Sequence, residues 1–322
     1  MRTVIGAVAG LLLGGSALAQ TSALPLPPPP NPAERAAYDA MPNGPGTGPY
    51  PALMEVDPSL PDHVVYRPAD LAALGARKLA VLAWGNGGCR ADGASARQHL
   101  LEIASHGYLV VAPGRVLSGP GAVEKAAPPP RAADGSLPPV ATRTADVRAG
   151  IDWALAEDAR AGSRYHDRIA REAIAVSGHS CGGLQAIELA ADPRVRAVVI
   201  HNSGVLPEGP ASPIRGFSVS KAQLLRFHTP VLYVLGGPGD VAHPNGNDDF
   251  NRIDHVPAVL VELPVGHGGT FLKPNGGAAA QIALDWLEWQ LRGDASAGRS
   301  FTGADCRLCV VPGWTIARKG LR

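Results

Sequence analysis

The feature that most constrains this chain is the segment 173–190, where an apolar run leads into a glycine-flanked serine and then a helical pattern. Residues 173–177 are small or β-branched, residues 178–182 read G-H-S-C-G, and the apolar residues that follow recur at helical spacing. The two glycines remove the Cβ atoms that a tight strand-to-helix turn would crowd. The segment therefore predicts a strand, a turn and a helix, with Ser180 exposed at the turn as a nucleophile.

Apolar runs alternate with helical patterns on both sides of this segment. Such alternation predicts an α/β domain with a mostly parallel sheet and helices on both of its faces. The other predicted strands are 63–67, 78–84, 108–112, 195–200, 231–235 and 259–264, and the other predicted helices are 95–105, 143–157 and 278–291. Two longer segments, 114–141 and 204–229, leave the carboxyl ends of strands, where open α/β sheets bind ligands, and the second contains a possible helix over 218–227.

The first 19 residues read as an export signal, because Arg2 precedes an apolar run and Ala17-Leu18-Ala19 fits the small-x-small cleavage rule. An uncleaved anchor is the alternative, although the run is short for a bilayer span. We expect a periplasmic or secreted protein with no stable membrane insertion after signal cleavage. The expected division is a signal peptide (1–19), a Pro/Gly-rich leader (20–49), a folded α/β domain (50–293) and a C-terminal tail with a Cys-x-x-Cys motif (294–322).

Charge and motif content exclude several classes of function. Lys plus Arg (29) balances Asp plus Glu (28), so nothing points to a nucleic-acid partner. Neither G-x-x-x-x-G-K nor G-x-G-x-x-G occurs, and neither does H-E-x-x-H. We therefore expect no cofactor and no metal, and we expect a monomer.

A serine nucleophile needs a base, and the base needs an acid to orient it. Asp240 lies on a glycine turn after the strand 231–235, and His267 lies between two glycines after the strand 259–264. These glycines allow the histidine loop to approach the serine closely. Asp248 and Asp249 follow shortly after Asp240 and are alternative acids.

With nucleophile, acid and base in this order, the chain resembles the α/β-hydrolases over about residues 50–293. It is most similar to their dienelactone-hydrolase-like and polyester-hydrolase-like secreted serine esterases, whose loops read W-G-N-G-G-C and G-H-G-G-T. The resemblance implies an α/β-hydrolase fold with at most a short cap segment. It also implies hydrolysis of small-molecule or polymeric carboxylic esters, with Ser180 as nucleophile, His267 as general base and acid, and Asp240 orienting the imidazole.

The resemblance further implies an oxyanion hole made by the backbone amides of Cys181 and Asn86, with Gly87 as the alternative to Asn86. Trp84 stands where the family often has histidine, which leaves the geometry of this loop open. An acyltransferase that uses an alcohol as acceptor, or an inactive binding protein on the same fold, would share these residues.

The chain has four cysteines, an even number that suits an exported protein with disulfides. In the α/β-hydrolase fold the oxyanion loop and the nucleophile turn converge, so we expect a Cys89–Cys181 disulfide beside the site, and a second between Cys306 and Cys309. The alternative for Cys181 is a buried free thiol.

Overall fold

A computed structural model describes residues 31–122, 138–207, 214 and 216–321. Nine strands within these residues form one sheet: β1 (Ala52–Glu55), β2 (His63–Pro68), β3 (Leu79–Gly85), β4 (Tyr108–Pro113), β5 (Ile169–His179), β6 (Ala197–His201), β7 (Val231–Leu235), β8 (Ala258–Glu262) and β9 (Thr315–Lys319). Their spatial order is β1-β2-β4-β3-β5-β6-β7-β8-β9. The six strands from β4 to β8 in this order are mutually parallel, whereas β1, β2 and β9 pair in an antiparallel manner.

Helices cover both faces of this sheet. They are α1 (Pro32–Ala40), α2 (Arg97–Ala104), α3 (Thr144–Ala159), α4 (Cys181–Leu189), α5 (His243–Arg252), α6 (Gly277–Arg292) and the short α7 (Ala295–Gly298). Helices α2 and α6 pack with one side of the sheet, and α3, α4 and α5 pack with the other. Neighbouring strand residues such as Val81 and Leu82 belong to opposite core clusters because side chains alternate along a strand. The α/β class and the mostly parallel sheet expected from the sequence are confirmed.

Residues 31–49, the described part of the expected Pro/Gly-rich leader, pack against the folded domain. They include α1, whose Tyr38 is fully buried, and they lie against α2. Arg97 of α2, also fully buried, donates to the carbonyls of Tyr38 and Met41 and to the side-chain oxygen of Asn43 at 2.9 Å. These contacts exist because a buried guanidinium needs acceptors, which the N-terminal backbone supplies. The expected signal peptide, 1–19, lies outside the described residues.

The C-terminal residues also differ from a simple tail. Strand β9 pairs with β8 along five residues and completes the edge of the sheet. The expected helix over 218–227 is a 3₁₀ helix that spans Lys221–Arg226. No helix in the described part of the chain is long and apolar enough to cross a membrane.

Candidate active site

Ser180 stands at the sharp turn between β5 and α4. Its φ is +54° and its ψ is −120°, a conformation that non-glycine residues rarely adopt and that is found at functional turns. The turn lies so close to its neighbours that a Cβ on Gly178 would be 2.2 Å from the carbonyl oxygen of Gly182. A Cβ on Gly182 would in turn be 2.1 Å from the carbonyl of Gly85, at the end of β3. The G-x-S-x-G glycines are therefore steric requirements of this turn.

Three polar side chains meet at the carboxyl ends of β5, β7 and β8. The Ser180 Oγ lies 2.9 Å from the Nε2 of His267, and the Nδ1 of His267 lies 2.6 Å from the Oδ1 of Asp240. With the proton on Nδ1, the imidazole donates to the carboxylate and its Nε2 is free to accept the serine proton. The residues that the sequence singles out as nucleophile, acid and base thus form one continuous hydrogen-bonded line.

The carboxylate of Asp240 is completely buried and surrounded by donors. Its Oδ2 accepts from the backbone N–H of Gly236 at 3.0 Å and from the side-chain amide of Asn202 at 2.8 Å, and its Oδ1 accepts from the N–H of Ala242 at 2.9 Å. Burial alone would raise the pKa of Asp240, but the hydrogen bond and charge of His267 and the backbone donors outweigh it and lower this pKa to about 2. Asp240 is therefore ionised at neutral pH.

The two alternative acids have other partners. Asp249 is buried, and its carboxylate accepts from the N–H of Val205 at 2.7 Å and pairs with Lys221. Asp248 pairs with Lys221 at 2.7 Å and with Arg252 at 2.9 Å. Of the three candidates, the structure places only Asp240 against the imidazole of His267.

The loop after β3 carries the residues expected to form the second half of the oxyanion hole. The side-chain amide of Asn86 donates to the carbonyls of Arg90 at 2.9 Å and Pro113 at 2.7 Å, which fixes the loop from inside. The Asn86 backbone nitrogen lies close to the start of α4. The approach is so close that a Cβ atom on Gly182 would be only 2.6 Å from this nitrogen. The loop and the nucleophile turn thus converge, and the amides of Asn86 and Cys181 stay the predicted donors, with Gly87 as the alternative.

A disulfide joins these two segments. Cys89 is bonded to Cys181, the residue after the nucleophile; their Cα atoms are 5.3 Å apart and their sequence separation is 92. The second disulfide joins Cys306 to Cys309. Both expected disulfides are confirmed, and Cys181 is not a free thiol.

Two side chains support the site in ways that the sequence does not reveal. His179, the residue before the nucleophile, donates from Nε2 to the backbone carbonyl of His267 at 2.9 Å. Asn202, which follows β6, has φ +45° and donates to the carbonyl of Gly266 at 3.0 Å as well as to Asp240. The only sequence signal for Asn202 is its place at the carboxyl end of a strand, which many polar residues share.

A cluster of buried rings lies behind the site. His99 and His201 are fully buried with ring centroids 5.0 Å apart, and both also contact Trp84 and Phe271. Burial, followed by the charge of His179, lowers the pKa of His99 to about 3; burial and the charges of neighbouring histidines place that of His201 well below its ordinary value. Neither ring has a hydrogen-bond partner among the residues that the structure describes. Both rings are therefore neutral in the folded protein.

Among the described residues, no group of three or more His, Cys, Asp or Glu side chains is placed to hold a metal ion. No protein-family model matches this chain, and no curated protein matches it. The function therefore has to be inferred from the chemistry of the site.

Proposed function

We propose that this protein is an exported serine hydrolase of the α/β-hydrolase fold, which cleaves carboxylic esters through an acyl-enzyme on Ser180. The observation that carries the proposal is the hydrogen-bonded line from Ser180 through His267 to Asp240, with the serine at a strained strand-to-helix turn. A strained turn, a base at 2.9 Å and a buried acid behind the base are what an activated serine requires.

The surrounding fold supports the same proposal. The nucleophile turn lies between a central parallel strand and a helix, and acid and base follow in the order of α/β-hydrolases. The proposed oxyanion donors come from the residue after the nucleophile and from the loop after β3, as in that fold. The two disulfides support an oxidising compartment.

In the proposed reaction, the Oγ of Ser180 attacks the ester carbonyl while the Nε2 of His267 takes the hydroxyl proton. The amides of Cys181 and Asn86 bind the oxyanion, and each donor of this kind contributes about 3 kcal/mol to the transition state. His267 then returns the proton to the leaving alcohol, and an acyl-enzyme remains. A water molecule attacks the acyl group in the second half, with His267 again as base and then as acid.

The ionised state of Asp240 matters in both halves. An imidazolium forms at His267 each time the serine or the water gives up its proton, and the buried carboxylate at 2.6 Å stabilises that charge. Its three further donors keep the carboxylate in place and unprotonated.

Loss of the nucleophile tests the proposal. The Ser180→Ala variant should lose hydrolysis of p-nitrophenyl esters, and an organophosphate should label the wild-type protein once, at Ser180. The control is Ser177→Ala in the same strand, because the Ser177 hydroxyl is buried and has no hydrogen-bond partner in the described residues. Labelling at another serine, or full activity in the Ser180→Ala variant, would contradict the proposal. Added alcohol acceptors measure how far acyl transfer competes with hydrolysis.

A further inference from the structure

The loop that carries His267 has little intrinsic rigidity. Glycines lie on both sides of the histidine, and Gly266 and Gly269 have φ values of +69° and +56°. Such residues leave the unrestrained backbone with many accessible conformations. The position of the His267 ring therefore depends on contacts that fix the backbone of this loop.

Two side chains supply such contacts at consecutive carbonyls. Asn202 donates to the carbonyl of Gly266 at 3.0 Å, and His179 donates to the carbonyl of His267 itself at 2.9 Å. The second contact is the more direct, because it restrains the peptide group of the proposed base. His179 is also the neighbour of Ser180, so the same residue is rigidly linked to the nucleophile.

The other side of the His179 ring lies against the oxyanion loop. A Cβ on Gly87 would be 2.6 Å from the Nδ1 of His179, so the α-carbon of Gly87 packs directly on this nitrogen. The ring thus fills the space between the oxyanion loop and the loop of His267, with one nitrogen facing each. Its centroid is 5.4 Å from that of His267.

The protonation state of His179 suits this arrangement. Burial, followed by the charge of His267, lowers the pKa of His179 to about 4, so the ring is neutral near pH 7. The bond to the carbonyl requires the single proton to be on Nε2. A neutral ring adds no positive charge next to His267, which would otherwise resist protonation.

From these contacts we infer that His179 is a positioning residue, which sets the place of His267 relative to Ser180 and the oxyanion loop. The inference rests on the proposed function in one respect, that His267 acts as the base. The contact that restrains His267 is the hydrogen bond from His179 to its backbone carbonyl. Its consequence is kinetic: loss of this donor should lower kcat and leave KM nearly unchanged, since the transition state is more sensitive to the position of the base than substrate binding is.

The test compares His179→Gln with His179→Met. The two replacement side chains have similar length and volume, but only glutamine keeps an N–H that can donate to the carbonyl. We expect His179→Met to lower kcat by about 10- to 100-fold, because small misplacements of catalytic groups cost up to about 100-fold. We expect His179→Gln to recover most of this loss.

A control is available at His228, whose Nε2 lies 3.2 Å from the carbonyl of Val195, just before the amino end of β6 and therefore at the end of the sheet opposite the site. His228→Met removes the same kind of hydrogen bond and should leave kcat unchanged. Equal kcat values for the Gln and Met variants at His179 would overturn the inference, whether both are active or both are impaired.

A second measurement does not depend on ester turnover. The proton between His267 Nδ1 and Asp240 should give a low-field NMR signal, because that hydrogen bond is 2.6 Å long and buried. The signal should persist in the Gln variant and exchange faster with water in the Met variant. If the wild-type protein hydrolyses no ester, the proposed function fails, and this signal still decides the positioning role: an unchanged signal in the Met variant would refute it.

Discussion

Acidification should destabilise this protein, because its buried histidines bind a proton much less readily in the folded state than in the unfolded chain. His99 has an ordinary pKa of 6.5 and a folded pKa of about 3. Between these values the unfolded chain binds a proton that the folded protein does not bind. The stability contributed by the neutral ring is therefore complete above about pH 6.5 and is lost as the pH falls toward the folded pKa.

The magnitude follows from the size of this pKa difference. Each pH unit inside the window changes the free energy of unfolding by about 1.4 kcal/mol for each such group. At about pH 4.5, two units below the ordinary pKa of histidine, His99 alone should lower the free energy of unfolding by about 3 kcal/mol. The typical free energy of unfolding of a protein is about 5 to 15 kcal/mol. His201 and His179, whose pKa values are also lowered, act in the same direction.

Asp249 acts in the opposite direction. Burial, opposed by Lys221, raises its pKa from 3.8 to about 6. As the pH falls between these values, the folded protein binds a proton at Asp249 that the unfolded chain does not yet bind, which favours the folded state. Asp240 does not change the free energy of unfolding in this pH range. Its pKa is lowered from 3.8 to about 2, so the stability that its carboxylate contributes is lost only below about pH 4. The contribution of His99 is therefore isolated by comparing, at each pH, the wild-type protein with a variant that lacks this histidine.

The comparison is between the wild-type protein and His99→Leu, which keeps a similar volume and removes two unsatisfied ring nitrogens. Urea unfolding with the disulfides intact, at several pH values from about 7 to about 4.5, gives the free energy of unfolding of each. The wild-type curve should fall more steeply by about 1.4 kcal/mol per pH unit below about pH 6. Parallel curves for the two proteins would refute the reasoning.

Two further predictions concern the site itself. Asp240→Asn should lower kcat by about four orders of magnitude and leave the fold intact, because the amide favours the wrong tautomer of the histidine; steady-state kinetics should show no comparable loss for Asp248→Asn. Replacing Cys89 and Cys181 by serine should lower the free energy of unfolding by about 4.6 kcal/mol, the chain-entropy value for a loop of this length. Urea unfolding measures that loss, and an unchanged unfolding midpoint would show that the disulfide does not stabilise the fold.

The central part of the fold could be predicted because its signals are local. The buried parallel strands read as apolar runs; the predicted strand 231–235 coincides with β7, and 108–112 is extended by one residue in β4. The nucleophile turn was predictable for a steric reason, since the glycines at 178 and 182 leave no room for side chains. Asp240 and His267 could be chosen because each follows a buried strand on a glycine-rich turn.

The elements that the sequence does not predict depend on tertiary contacts. Helix α5 contains proline, glycine, asparagine and aspartate, all poor helix formers. It is stabilised by tertiary contacts, namely the burial of Phe250 and the bonds of Asp249 to Val205 and Lys221. Strand β9 has mostly exposed side chains with Arg318 and Lys319, so it carries no apolar run and is a strand because the edge of β8 accepts it. The support of His267 by His179 and Asn202 likewise exists only once three strand ends meet.

The disulfide between Cys89 and Cys181 has a consequence for a chain that has been cut. The segment 114–141 lies between the two cysteines in sequence, and cleavage within it would separate the oxyanion loop from Ser180 and His267. The bridge, together with the pairing of β3 with β5, would keep both fragments joined next to the site. A protease nick there should therefore leave one species on a non-reducing gel and two on a reducing gel, and the nicked protein should survive as a covalent two-chain molecule with its site assembled.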